Sequence, residues 1–264
     1  MPRNQAPHRR PPTGKADLHV HTSASDGVSG VREVLQAAQT AGIDVVAITD
    51  HNTIESAQEA QSLAPRFGVH VVIGEEISTK EGHLLALFLS ERVPPNLRLH
   101  ETIRVVQSQG GISIIAHPYD RISFGVLNPW RRRLDEASLL PMPFDGIEVF
   151  NACLVGQSQN RQALALGHRA ARALVAGSDA HSAATVGAAY TLFPGRTAQA
   201  LRRAILGSET EPAGGPWNLR QYLNLFGKRE LRYAGVGASY AAGLCSAVAG
   251  AALLAVRSGI TRLL

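Results

Sequence analysis

Several short segments of this 264-residue chain run from an apolar stretch into residue types that bind metal ions. Asp17-Leu18-His19-Val20-His21 sets two imidazoles at i and i+2, on one side of an extended strand. Asp26 follows in the turn before a helix. Gly177-Ser178-Asp179-Ala180-His181 repeats the i, i+2 spacing with a carboxylate and an imidazole. Thr49-Asp50-His51-Asn52, Gly74-Glu75-Glu76 and Ala116-His117-Pro118 end three further apolar runs. A lone His-x-His is commonplace on a protein surface. Its recurrence with carboxylates at successive strand ends points to a shared metal site. Imidazole and carboxylate donors without thiolate suit Mn²⁺, Zn²⁺, Fe²⁺ or Mg²⁺, and the imidazole content argues against Mg²⁺ alone.

The elements that must position these groups alternate. ADLHV, DVVAIT, VHVVIGEEIS, HLLALFL, GISIIAH, DGIEVF, ALVAGS and VGAAYTLF read as strands. Amphipathic stretches lie between them: VREVLQAAQTAG ending at Gly42, Ile54–Phe67, Leu97–Gln109, Gln157–Ala170 and AQALRRAIL. Such alternation predicts parallel strands with crossover helices, an α/β sheet or barrel whose C-terminal strand ends share one face.

Charge is unevenly divided. The net +5 comes from the termini: residues 1–16 hold four bases and no acid, and residues 217–264 hold six bases and only Glu230. The middle holds 16 bases against 20 acids, as a cluster of cation ligands would produce, and this argues against stable duplex nucleic-acid binding. Two cysteines, Cys153 and Cys245, give no disulfide framework and read as structural thiols in a reducing compartment.

The motifs DLHVHT-SxSDG, AITDHNT, GEEIS, HLLAL, AHPY, IEVFN and GSDAH, in that order from Asp17 to about Phe193, resemble the signature of the PHP (polymerase and histidinol phosphatase) superfamily. The similarity is greatest to stand-alone bacterial phosphoesterases that hydrolyse nucleotides or short oligonucleotides. It implies a distorted (β/α)7 TIM-like barrel with two or three divalent ions, Mn²⁺ foremost. Carried over by motif, it implies that His19, His21 and Asp179 bind one ion. Glu76 would bridge to a second, completed by His83 and His117, and Asp26, His51 and His181 would hold a third. The implied reaction is attack of a metal-activated hydroxide on phosphorus, with His51 or His181 protonating the leaving oxygen beside Asp179. Asp17 and Asp50 are expected to orient ligating imidazoles. Arg121, Tyr119 and Asn151 are the expected substrate contacts. Many nucleotide-cleaving members carry a long helical insertion after HLLAL, whereas about 27 residues separate Leu89 from His117 here. The resemblance also admits other activities: a phosphatase of a small phosphomonoester such as histidinol phosphate, or a non-catalytic PHP module. Amidohydrolase barrels also open on His-x-His, but no lysine stands at a matching strand end.

Residues 1–16 read as a basic disordered tail, 17–210 as the catalytic barrel, 211–216 as a Pro/Gly linker and 217–264 as a helical appendage. Tyr233–Val256 contains no charged residue and is long enough to span a bilayer, although nine of its 24 residues are alanine. This segment is the candidate membrane anchor. With the heavier basic flank on the barrel side, it would place the barrel in the cytoplasm, tethered to the inner face of the membrane.

Overall fold

The protein is described from a computed structural model covering residues 13–122, 124–131, 133–153 and 157–225. In chain order the elements are β1 (Thr13–Asp17), α1 (Val31–Thr40), β2 (Val45–Ile48), α2 (Glu55–Leu63), β3 (His70–Ser78), β4 (His83–Leu87), α3 (Leu99–Ser108), β5 (Ile112–Ile115), α4 (Glu136–Leu139), β6 (Gly146–Asn151), α5 (Ser158–Ala170), β7 (Ala173–Gly177), β8 (Ala189–Pro194), α6 (Ala198–Leu206) and β9 (Glu211–Gly214).

Helix α1 shows how the pattern becomes structure. Val31, Val34, Leu35 and Ala38 recur at i, i+3, i+4 and i+7 and are the buried residues of the helix. The helix stops where Gly42 takes φ +68°, a left-handed conformation that glycine adopts without strain. Its buried face packs with α2 against β2, whose four residues are all buried. Helices α3 and α5 cover a second apolar cluster, and α6 covers a third that includes Leu18, Val175 and Phe193.

The sheet order is β7-β6-β5-β4-β3-β2-β1-β8-β9. It is nearly closed, as expected of a distorted barrel. Thr191 on β8 accepts from the Ala176 amide and donates to the Ala176 carbonyl of β7, both at 2.9 Å. An isolated parallel bridge pairs Val20 with Ala180 beyond the ends of β1 and β7. The expectation of uniformly parallel strands is corrected, however. β4 runs antiparallel to both β3 and β5, and β8 is antiparallel to β1 and β9. Residues 79–82 are too few for a crossover, which needs about a dozen residues, so β3 and β4 must form a hairpin.

Two expected boundaries also move. β1 begins at Thr13, within the stretch read as tail, because its backbone pairs with β8 across to Pro194. Glu211–Gly214, read as linker, forms β9 on β8. Its Pro212 is accommodated at the edge of the sheet, where a missing N–H costs no ladder bond. Trp217 and Tyr222 continue this packing: the Trp217 indole N–H donates to the Ser178 carbonyl at 2.9 Å, and the Tyr222 hydroxyl donates to the Cys153 carbonyl. The candidate anchor at 233–256 lies outside the described residues, among which no helix is long and apolar enough to cross a membrane.

Candidate metal centre

Two isolated bridges assemble the site. Val20 and Ala180 pair in parallel and bury their side chains in one apolar cluster. Side chains alternate along an extended backbone, so the flanking residues turn to the opposite face together. Those residues are His19 and His21 on one strand and Asp179 and His181 on the other. A second bridge pairs His51 with Glu76 beyond β2 and within β3. His117 stands two residues beyond the end of β5. His83 arrives by a different route: it is the first residue of β4, opposite Ser78 of β3, so the reversal of β4 puts its start at the rim where its neighbours end. Asp26 comes in on the loop before α1.

Glu76 is the hub. Its Oε2 lies 3.2 Å from His19 Nε2, 3.2 Å from His21 Nε2 and 3.4 Å from His51 Nδ1. Its Oε1 lies 2.8 Å from His83 Nδ1 and 3.0 Å from His117 Nε2. Asp179 Oδ1 stands 3.4 Å from His19 Nε2 and 3.2 Å from His21 Nε2. Asp26 Oδ2 is 3.0 Å from His181 Nε2, and its Oδ1 is 3.6 Å from His21 Nδ1. All nine expected ligands therefore meet in one cluster. Their closest groupings differ from the implied sets: His51 stands with Glu76 and His83, and His21 with Asp26 and His181. Two of the nine are held in strained backbone, His117 at φ +23° and Asp179 at φ +50°, as occurs where surrounding structure fixes a functional residue.

The donor set fits divalent cations. Buried nitrogens of His19, His21, His51, His83 and His117 have no hydrogen-bond partner. An unsatisfied buried polar atom costs about 1–3 kcal/mol, and a cluster of them is explained by ions shared among lone pairs. Counting protein charges alone, burial opposes a charge on His21, yet the adjoining carboxylates of Asp179, Glu76 and Asp26 push it up to about 10. Burial likewise opposes charge on His117, but Glu76, Glu148 and Asp120 push it up to about 9. His51 goes the other way: burial, together with His21 and His83, holds it down to about 4 against the pull of Glu76 and Asp26. Burial disfavours the charged forms of Glu76 and Asp179, but the surrounding imidazoles hold both well below the usual carboxylate range. The carboxylates therefore stay ionised, and their field favours positive charge on the groups between them.

The orienting carboxylate is Glu148, within the IEVFN motif. It is 1% exposed. Its Oε1 accepts from His19 Nδ1 at 3.0 Å, and its Oε2 accepts from the His117 amide at 2.9 Å and from Asn151 Nδ2 at 3.1 Å. His19 Nδ1–H is thereby fixed, leaving Nε2 to face Glu76 and Asp179. The signal that could have found it is its even position on the β6 strand, whose end joins the same rim.

Three expected roles are corrected. Asp50 contacts no histidine: its carboxylate accepts from the Thr22 amide, the Thr22 and Ser25 hydroxyls and Ser56, which fixes the loop that carries Asp26. Asp17 accepts from the Ser178 and Gly187 amides at 3.0 and 2.8 Å and ties β1 to the segment after β7, again without touching an imidazole. Asn151, expected to contact substrate, is fully buried and donates to Glu148 and to Asp179 Oδ2, both at 3.1 Å. It braces ligands. Of the remaining expected contacts, Tyr119 donates its hydroxyl to Glu136, itself paired with Arg169, and packs its ring against the core. Arg121 is exposed, with its guanidinium over the Trp130 ring at 5.5 Å.

Comparison with known proteins agrees with this architecture. A model of the PHP domain matches residues 17–176, and a PHP-associated model matches residues 157–210. The uncharacterized protein MJ1587 of Methanocaldococcus jannaschii is 43% identical over 149 residues, covering 52% of this chain and 82% of that protein. A 5'-3' exoribonuclease of Haemophilus influenzae is 34% identical over 106 residues, 39% of each chain. Among solved structures, a two-domain Bacteroides vulgatus protein described as containing a predicted PHP-like metal-dependent phosphoesterase superposes with a TM-score of 0.66 at 20% identity, covering 85% of this chain and 74% of that one.

Proposed function

This chain belongs to the PHP domain family, and from that premise we propose that it is a metal-dependent phosphoesterase hydrolysing phosphate esters of nucleotides or short oligonucleotides. The observation that carries the reading is the position of Glu76, with five imidazoles around its two oxygens. A carboxylate so placed can bridge cations. Its neighbours His19, His21, His83, His117 and Asp179 would complete two sites, and Asp26, His51 and His181 would hold a third ion. Mn²⁺, Zn²⁺ or Fe²⁺ suit these donors. Such ions, when bound, neutralise phosphoryl oxygens and make a water acidic enough to act near neutral pH.

The chain's own residues do the rest. Glu148 and Asn151 hold His19 and Asp179 in register, so the phosphate would meet a preorganised anion-compensating site. Of the two histidines expected to deliver a proton, His181 is the better placed. Its Nδ1 donates to the Asp179 backbone carbonyl at 2.8 Å, which fixes the ring, and its Nε2 reaches Asp26. Where Nε2 is not engaged by an ion, a proton on it would pass to the leaving oxygen. His51, held down to about 4, is neutral at pH 7 and serves as a ligand. The nucleic-acid preference draws on the resemblance to the Haemophilus influenzae exoribonuclease.

Full-length protein supplied with Mn²⁺ should hydrolyse p-nitrophenyl phosphate or its thymidine 5′-diester, and EDTA should abolish turnover. Asp179→Ala should lower kcat/KM at least about 100-fold, because Asp179 touches both His19 and His21. Equal activity of wild type and Asp179→Ala would overturn the reading.

A further inference from the structure

The connection that follows His117 presents two ring–guanidinium pairs, one of them against a histidine of the metal centre. Phe124 stacks on the His83 ring, with centroids 5.6 Å apart and planes 20° from parallel. On Phe124 sits the Arg131 guanidinium, 3.8 Å from the ring centroid. Trp130, next in sequence to Arg131, carries Arg121 at 5.5 Å. Both rings are solvent-exposed, Phe124 by 42% and Trp130 by 70%.

These rings are held in place by the backbone. The Phe124 carbonyl accepts from the His83 amide at 3.0 Å, and Phe124 itself takes φ +63°, a conformation that a bulky side chain adopts only when surrounding structure imposes it. Glycine is required on both sides of the contact. A Cβ on Gly82 would lie 2.5 Å from the Phe124 carbonyl, and one on Gly125 would lie 2.6 Å from the His117 carbonyl. The fold therefore accepts local strain to keep an exposed aromatic ring against a prospective metal ligand. Ordinary packing does not call for this, because a large ring gains most when it is buried.

We propose that Phe124 and Trp130, with Arg131 and Arg121, form a base-stacking subsite for the single-stranded end of a nucleic-acid substrate whose scissile phosphate occupies the metal centre. Every base has a π-face, so a ring or the guanidinium plane lying over it can stack on a base irrespective of sequence, and the arginine also supplies the charge that a neighbouring phosphate needs. The distance from Phe124 to His83 is within the reach of one nucleotide. Trp130 would then serve the next base along the strand. An apolar peptide would leave both guanidinium groups without a counter-charge, whereas a nucleotide strand offers a base and a phosphate for each pair. The proposal rests on the phosphoesterase reading and narrows its substrate to single-stranded, base-bearing ends.

Two measurements on the full-length chain test it. The first is a discrimination ratio: kcat/KM with Mn²⁺ for a 5′-phosphorylated single-stranded RNA pentanucleotide, divided by kcat/KM for ribose 5-phosphate. Phe124→Ala and Trp130→Ala should each lower this ratio about tenfold, and Trp130→Phe should restore most of it. The second is tryptophan fluorescence in EDTA. The chain has two tryptophans, and because Trp217 packs edge-on against His181, the quench assigned to the subsite is the part that Trp130→Phe removes. Phe124→Ala should weaken the half-saturating concentration about tenfold. A ratio unchanged in both alanine variants, or a quench that an abasic ribose-phosphate pentamer reproduces, would overturn the stacking subsite. Absence of turnover on either substrate by wild type would instead overturn the phosphoesterase reading beneath it.

Discussion

Glu148→Gln is the most discriminating single substitution, because it keeps the side chain's size and removes one acceptor. In the native arrangement both oxygens accept: Oε1 from His19 Nδ1, Oε2 from the His117 amide and from Asn151 Nδ2. Glutamine has one oxygen and one NH₂. If the oxygen keeps the His117 and Asn151 donors, the NH₂ faces His19 Nδ1. His19 must then carry its proton on Nε2, the atom 3.2 Å from Glu76 Oε2, and it ceases to be a ligand. If the amide turns over, the NH₂ opposes two donors in a buried site. Either orientation costs a charge-assisted hydrogen bond. Substitutions of such orienting groups lower metal affinity about 10- to 100-fold, equivalent to about 1.4–2.7 kcal/mol. Calorimetric titration of the chelated full-length protein with Mn²⁺ should show that weakening, with the urea midpoint of the chelated protein moving far less than its metal affinity. A Glu148→Gln variant with wild-type Mn²⁺ affinity would refute the orienting role, and with it the claim that His19 binds through Nε2.

Gly177→Ala should be as damaging to metal binding as loss of a ligand, although residue 177 contacts no ion. The added methyl would lie 2.5 Å from His19 Cβ and 2.7 Å from Glu148 Oε1, so both must move. Destabilisation of about 1–3 kcal/mol in urea is expected, with more than tenfold weaker Mn²⁺ binding; a variant matching wild type in both would show that His19 is not fixed as described. Metal binding should also release protons. Protein charges raise His21 to about 10 and His117 to about 9, and a ligating imidazole must be neutral. Affinity should therefore rise with pH across 6–8, by about tenfold per unit for each proton displaced, and fall on acidification. Binding enthalpies that do not vary among buffers of different ionisation heat would contradict this.

Four of the nine expected ligands, His19, His21, Asp179 and His181, were legible from local spacing, and the full set followed from the resemblance of the motifs. His-x-His and Asp-x-His each place two donors on one face of an extended segment by backbone alternation alone, whatever lies across from them. The helices were legible for a similar reason: α1 carries its buried residues at helical spacing and ends at a glycine. The direction of β4 was not. A run such as HLLAL is equally apolar in either direction, and only the short 79–82 turn forces it back on β3, which is how His83 reaches the rim from the start of its strand. The Glu211–Gly214 strand was hidden behind its proline and glycines, which mark a linker as readily as an edge strand.

The roles of the buried carboxylates were decided entirely in three dimensions. Asp17 and Asp50 stand beside histidines in the sequence and Glu148 stands far from any, yet all three are buried. Which one accepts from an imidazole depends on contacts between residues 129 apart, as for His19 and Glu148. Local spacing fixes which side of a strand a donor faces, but the partner it meets there is set by how β1, β6 and β7 come together. The chain's primary order thus specified the chemistry available to the site. The closure of the barrel specified which carboxylate holds an imidazole, which holds a loop and which ties one strand to another.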